Sequence, residues 1–179
     1  MTASLEVVRK GLVDACGEVR QGDAADAIVG ADAAFVAEPG STEAAAAVMR
    51  VAAEHELAVV VRGGGSRLAW GTPPSRCDLV VDMSRMSSVV EHAAGDLVAR
   101  LQAGARMGDV AAVLAGAGQE IALDVPGDAT VGGVVASGLA GPRRLRYGTP
   151  RDLLLHPANP FVSQFINAQR TLTDSGEVQ

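Results

Sequence analysis

Aromatic residues are scarce in this chain of 179: one Trp, one Tyr and three Phe make up 3%. Proteins that grip single-stranded nucleic acid stack its bases on aromatic faces, so that partner is not expected. Positive charge is also short. Fifteen Lys and Arg stand against 21 Asp and Glu, a formal charge of −6, which repels a phosphate backbone. No apolar run approaches the roughly 18 residues that mark a membrane span. No basic N-terminal segment leads into an apolar stretch, so no secretory leader is expected. The cysteines are Cys16 and Cys77, and neither sits in a CxxC or a Cys/His cluster. No metal site is therefore expected, and both thiols read as small apolar filler in a reduced, cytoplasmic setting. His55, His92 and His156 have no Ser, Cys or carboxylate at motif spacing, so no catalytic residue is assigned.

What the chain does have is small and apolar. Hydrophobic residues make up 48%, and glycine occurs 21 times. The length suffices for one good core, or for two small lobes around a ligand. Leu5, Val8, Leu12, Cys16 and Val19 recur three or four apart and predict one amphipathic helix. Ala34, Phe35 and Val36 predict a short strand, stopped by Pro39 and Gly40. Ser41 then caps a helix running to Glu54, with Glu43 at the positive end of its dipole. Val59, Val60 and Val61 predict a short buried strand, and Asp78 to Asp82 another. Leu97, Ala99, Leu101 and Ala103 alternate with Val98, Arg100 and Gln102, as in a strand with one face inward. Val110, Val113, Leu114 and Ala117 predict a short helix closed by Gly116 or Gly118. A last short helix is expected from near Gly132 to Leu139. This order has β-α-β character early and antiparallel character later, so the fold expected is α+β with two lobes.

Two glycine-centred stretches interrupt the apolar runs. The first is Arg62-Gly63-Gly64-Gly65-Ser66-Arg67 and the second is Pro126-Gly127-Asp128-Ala129-Thr130-Val131-Gly132-Gly133. Consecutive glycines cost entropy to order, and they let backbone approach a ligand without a Cβ in the way. Successive bare N–H groups form a cradle for a phosphate or pyrophosphate. Ser66 adds a hydroxyl, and Arg62 and Arg67 offer local positive charge in an acidic protein. Gly71 closes the same candidate segment. In the second stretch, a helix starting near Gly132 would present free N–H groups and a favourable dipole to an anion. Each loop has a plainer reading beside this one: a surface turn for the first, close helix-on-strand packing for the second. The spacing is not GxGxxG and no helix follows directly, so the first loop is not a nicotinamide-type fingerprint. Gly141-Pro142-Arg143-Arg144-Leu145-Arg146-Tyr147-Gly148 is the one dense basic cluster.

Taken in order, several segments carry a family likeness. They are the strand into Arg62-Gly63-Gly64-Gly65-Ser66, Asp78-Leu79-Val80-Val81-Asp82-Met83-Ser84-Arg85-Met86, Gln102-Ala103-Gly104-Ala105, Thr130-Val131-Gly132-Gly133, and Gly141-Pro142 through Gly148-Thr149. Together they closely resemble the PCMH-type FAD-binding domain of the vanillyl-alcohol oxidase / p-cresol methylhydroxylase superfamily. The likeness runs to the E-type FAD-binding subunit of bacterial glycolate oxidase, and spans about residues 35–154. It implies FAD lying between two α+β lobes. Gly63, Gly64, Gly65, Ser66 and Arg67 would carry over to one side of the pyrophosphate. Pro126, Ala129, Thr130, Val131, Gly132, Gly133 and Ser137 would carry over to the other. Some relatives attach the flavin through a His in the first loop; Ser66 stands at the matching place, which implies non-covalent FAD.

The resemblance also sets the domain expectation. Residues 1–155 form the FAD-binding domain, with an N-terminal lobe over about 1–86 and a second lobe over about 87–155. That second lobe is expected to be incomplete, because 156–179 departs from the family pattern and reads as an unrelated tail on a truncated chain. The implied function is the FAD-binding subunit or fragment of a flavin-dependent oxidoreductase that acts on a small 2-hydroxy acid such as glycolate with partner subunits. The alternative is a non-catalytic remnant or interaction subunit that does not retain FAD. A third reading is another FAD enzyme sharing the domain, such as a sugar-nucleotide reductase.

Overall fold

The structure is a computed structural model, and it describes residues 2–143. In chain order its elements are α1 (Thr2–Cys16), β1 (Val19–Gln21), a 3₁₀ turn (Ala24–Asp26), β2 (Phe35–Ala37), α2 (Thr42–Glu54), β3 (Val59–Arg62) and β4 (Leu79–Asp82). Then come β5 (Val89–Ala93), a second 3₁₀ turn (Ala94–Asp96), β6 (Val98–Leu101), α3 (Met107–Ala115) and α4 (Val131–Ser137). This is a mixed α+β chain, as expected.

The first four strands form one sheet in the order β1-β2-β4-β3. β1 runs antiparallel to β2, while β2 and β3 both run parallel to β4. Strand side chains alternate between faces, and the register uses that alternation. Val36, Val80 and Val60 stand side by side and pack with Ile28, Ala33 and Cys77 on one face. Phe35, Ala37, Leu79 and Val81 turn to the other face, where Val8 and Leu12 of α1 and Val48 and Ala52 of α2 cover them. Burying a Leu or Val side chain stabilises by about 1.5–3 kcal/mol. Leu12, Val36, Val48, Leu79 and Val80 are all fully buried.

The helix ends follow local chemistry. Ser41 accepts a hydrogen bond from the Ala44 N–H at 3.1 Å, so the predicted cap of α2 is present. α1 is shorter than its stripe. Gly17, at φ +77, turns the chain, and Val19 opens β1 instead of ending the helix.

One strand differs from expectation in its setting. β3 is an edge strand, with Val61 58% exposed, and β4 takes the central buried place. Three adjacent valines look equally apolar in either position, so only sheet order separates centre from edge.

β5 and β6 form a separate antiparallel hairpin. The predicted alternation holds over Val98–Leu101: Ala99 and Leu101 turn inward with Val89 onto Ala105, Val110 and Leu114. Leu97 is not part of it, because its left-handed backbone (φ +57) makes the turn. β5 has no clean alternation. A register shift between Val89 and Glu91 breaks the two-residue period, so its sequence does not read as a strand. After α3, Gly118 takes the left-handed turn, and the Gln119 N–H returns to the Leu114 carbonyl at 3.0 Å. Among the described residues, no helix is long and apolar enough to cross a membrane.

Candidate nucleotide cleft

β3 delivers the chain to the first glycine loop. The Arg62 carbonyl still accepts the Met83 N–H at 2.9 Å, which holds the strand end against β4. From Gly63 through Arg67, no main-chain N–H donates to any acceptor among the described residues. A turn then closes the segment, with the Trp70 N–H donating to the Arg67 carbonyl at 3.0 Å. Gly65 sits at φ +75, where a side chain is strained.

The second loop lies directly against the first. A Cβ on Gly63 would fall 2.1 Å from Thr130 Oγ1, and one on Gly64 would fall 2.5 Å from the Asp128 carbonyl oxygen. Glycine is therefore required there by the neighbouring loop, whatever else it serves. The second loop is itself well fastened. Its Ala129 and Gly127 carbonyls accept the Met107 and Gly108 N–H groups at the start of α3, at 2.8 and 2.9 Å.

The helix that follows does not offer the free amides its sequence led us to expect. The Val131 N–H donates to the Ala105 carbonyl at 2.9 Å, and the Gly132 N–H to the Ala103 carbonyl at 2.7 Å. The Gly133 N–H donates to Thr130 Oγ1 at 3.3 Å, and the Val134 N–H to the Thr130 carbonyl at 2.9 Å. α4 also starts at Val131, one residue before the expected Gly132. Gly132 serves packing, since a Cβ there would come within 3.0 Å of Ala103. Exposed donors thus come from one loop, and the other supplies a wall.

Between the loops lies a cleft of about 380 Å³. Gly63, Gly64, Gly65, Ser66, Arg67 and Gly71 line it from the first segment, and Ala129, Thr130, Gly133 and Ser137 from the second. Arg62, Pro126, Val131 and Gly132 are not in its lining. Val61, Leu68, Trp70 and Ala136 are, and sequence reasoning did not single them out. Trp70 had a usable signal: an aromatic residue three after an arginine, across a tight turn, can stack on its guanidinium.

The two arginines of the first loop have different surroundings. Arg62 is neutralised. Its Nη1 donates to Asp26 Oδ1 at 2.9 Å and its Nε to Asp82 Oδ2 at 2.8 Å. Asp26 is buried, and hydrogen bonds from Arg20 lead the causes that hold its carboxyl far below the usual carboxylate range, against the opposing effect of burial. Arg67 has no carboxylate within ion-pair distance among the described residues. Its guanidinium carbon stands 4.7 Å from the Trp70 ring centre, and its Nε is buried with no hydrogen-bond partner. A row of bare amides, a wall that leaves no room for Cβ atoms and an uncompensated guanidinium fit a ligand with two linked phosphates.

Other sequence candidates fall elsewhere. His92 Nε2 lies 2.8 Å from Gln119 Oε1, and His55 ends α2. Arg143 of the basic cluster pairs with Asp124 at 2.8 Å. Arg144, Leu145, Arg146, Tyr147, Gly148, Thr149, His156 and the 156–179 tail lie outside the described residues.

Comparison with known proteins identifies the family. Residues 33–156 match the family model of the FAD binding domain. An FAD-linked oxidoreductase of Mycobacterium tuberculosis is 31% identical over 124 residues, covering 68% of this chain and 27% of that protein. Glycolate oxidase subunit GlcE of Escherichia coli is 35% identical over 100 residues, covering 54% of this chain and 28% of the relative. The chain therefore spans about a quarter of the length of these relatives. Among solved structures, p-cresol methylhydroxylase superposes with a TM-score of 0.60 at 13% identity, over 77% of this chain and 30% of that one, a likeness of fold.

Proposed function

Because this chain belongs to the FAD binding domain family, we propose that it holds FAD through the first glycine loop, as part of a flavin-dependent oxidoreductase of the glycolate oxidase type. The carrying observation is the run of amides from Gly63 through Arg67 without a partner among the described residues, in a cleft that Thr130 also lines, beside an uncompensated Arg67. In this reading those amides and the Ser66 hydroxyl donate to diphosphate oxygens, and Arg67 balances their charge. Thr130, Ala129 and Gly133 close the other side, with Ser137 and Gly71 at the margins. Val131, Gly132 and Pro126 hold that wall in place, and Arg62 holds the loop root. FAD supplies the hydride acceptor; the protein binds it, orients it and limits water around it.

The finer parts of the proposal rest on the relatives. The Escherichia coli relative is named as a glycolate oxidase subunit, which supports a small 2-hydroxy acid as substrate and other subunits as partners. Non-covalent attachment follows from Ser66 standing where some relatives place a His. A lobe boundary near residue 86 is supported by the strand pairing, since the four-stranded sheet ends at Asp82 and the hairpin begins at Val89. A cytoplasmic setting is consistent with Cys16 and Cys77 being free thiols.

The test is an absorbance scan of the purified chain, before and after adding FAD and removing the excess. Flavin bands that stay with the protein and are released on denaturation support the reading. A colourless protein that takes up no FAD refutes it and favours a subunit serving only as an interaction piece. Dye reduction with glycolate, present only when partner subunits are added, tests the substrate assignment.

A further inference from the structure

We propose that Asp26 is a positioning residue for the first glycine loop, acting through Arg62; the proposal rests on the FAD reading above. Asp26 lies 36 residues before Arg62, in a 3₁₀ turn that no part of the cleft includes. Asp26 as a residue is 2% exposed. A buried lone carboxylate is costly, so its acceptor capacity has to be filled. Oδ1 accepts Arg20 Nη2 at 2.7 Å and Arg62 Nη1 at 2.9 Å, and Oδ2 accepts the Asp23 N–H at 3.1 Å. Arg62 is filled in turn: its Nε and Nη2 each lie 2.8 Å from Asp82 Oδ2.

The placement of these groups gives the chain of contacts its meaning. Arg20 belongs to β1 and Arg62 to β3, the opposite edges of the sheet. Asp26 therefore ties one edge strand to the other, across two strands that separate them. Within the sheet, β3 pairs with β4 alone, so without Asp26 the Arg62 side chain is fixed from one side only. The next residue is Gly63, where the run of amides without a partner among the described residues, through Arg67, begins. A loop with three glycines, whose own amides from Gly63 through Arg67 donate to nothing among the described residues, has wide conformational freedom. Ordering that freedom on binding weakens affinity, and fixing the loop's root beforehand recovers part of it. An arginine fork suits this task because its planar donors can serve two carboxylates at once, which a lysine cannot do.

The test compares Asp26→Asn, Arg62→Met and the double variant with the natural chain, at a temperature where all are folded by circular dichroism. FAD affinity is read from flavin fluorescence, and amide exchange across Gly63–Arg67 is read by mass spectrometry without ligand. We expect Asp26→Asn to weaken FAD about tenfold and to speed exchange in the loop, while exchange across Leu79–Asp82 stays unchanged. The double variant should be no worse than the weaker single variant, because both changes break the same chain of contacts. A folded Asp26→Asn protein with natural affinity and natural loop exchange overturns the proposal, and so do additive losses. If Asp26→Asn does not fold, Arg62→Lys takes its place: faster loop exchange supports the clamp, and unchanged exchange and affinity overturn it. If the natural chain binds no FAD, the functional reading fails, and the ligand-free exchange data decide the clamp alone.

Discussion

Replacing Gly63 with Ala puts a methyl group where the second loop already stands. The new Cβ would lie 2.1 Å from Thr130 Oγ1, 3.2 Å from its Cβ and 3.3 Å from its Cγ2. Thr130 is buried, at 5% exposure, and its hydroxyl caps α4 through the Gly133 N–H. It can yield only by moving the loop or giving up that bond. Overpacking of this kind costs about 1–3 kcal/mol, and a lost hydroxyl cap adds about 1 kcal/mol. The sum, about 2–4 kcal/mol, corresponds to a fall in melting temperature of roughly 5–15 °C for a chain of this size. Thr130→Ala alone should cost about 1 kcal/mol, the cap. In the double variant the hydroxyl is gone and most of the clash goes with it. Its cost should then be close to that of Thr130→Ala, a coupling of about 2–4 kcal/mol between the two sites. Thermal melts followed by circular dichroism measure all four proteins, and flavin titration should show the same order for FAD affinity. Additive costs, or a Gly63→Ala protein as stable as the parent, would show that the loops do not touch as described.

Three further outcomes follow from the same geometry. Arg67→Ala should weaken FAD by about 10- to 100-fold, the worth of a hydrogen bond to a charged group, and should flatten the salt dependence of binding; titrations at two ionic strengths check both. Trp70 is the one tryptophan in the chain and lines the cleft, so FAD should quench the protein's indole emission, and a bound flavin that leaves it unchanged would contradict the placement of Arg67 and Trp70. Asp26 has a folded carboxyl pKa held down first by its Arg20 hydrogen bonds, below an unfolded value of about 3.9. Its contribution is therefore present above pH about 4 and lost as pH falls further. Urea melts at pH 6 and pH 3 should show that loss in the parent and a smaller one in Asp26→Asn, whose own cost at pH 6 should approach the ~3–5 kcal/mol of a broken buried ion pair.

Much of the local structure was legible before any coordinates. The stripe of Val8 and Leu12, the cap at Ser41 and the alternation through Ala99 and Leu101 all depend on neighbours within a turn or along one strand. Glycine at the two loops was legible too, because the lack of a Cβ is a property of the residue itself. β5 was not, since its bulge is defined by the strand opposite. The edge position of β3 was not, since three valines carry no record of which strands flank them.

The site divides along the same line. Composition and the order of the glycine segments pointed to two amide cradles, one near Gly63 and one near Gly132; the first keeps its N–H groups unpartnered among the described residues, and the second does not. Only the folded chain decided which arginine keeps its charge for a ligand. Arg62 and Arg67 look alike in sequence, yet the carboxylates that neutralise Arg62 come from 36 residues before it and 20 residues after it. It also decided that α4 has no amides to spare, because Ala103 and Ala105 bring their carbonyls to it across a turn of the chain. Hydrogen bonds and ion pairs act over about 3 Å of space, and no spacing along a sequence reports which distant groups will come that close.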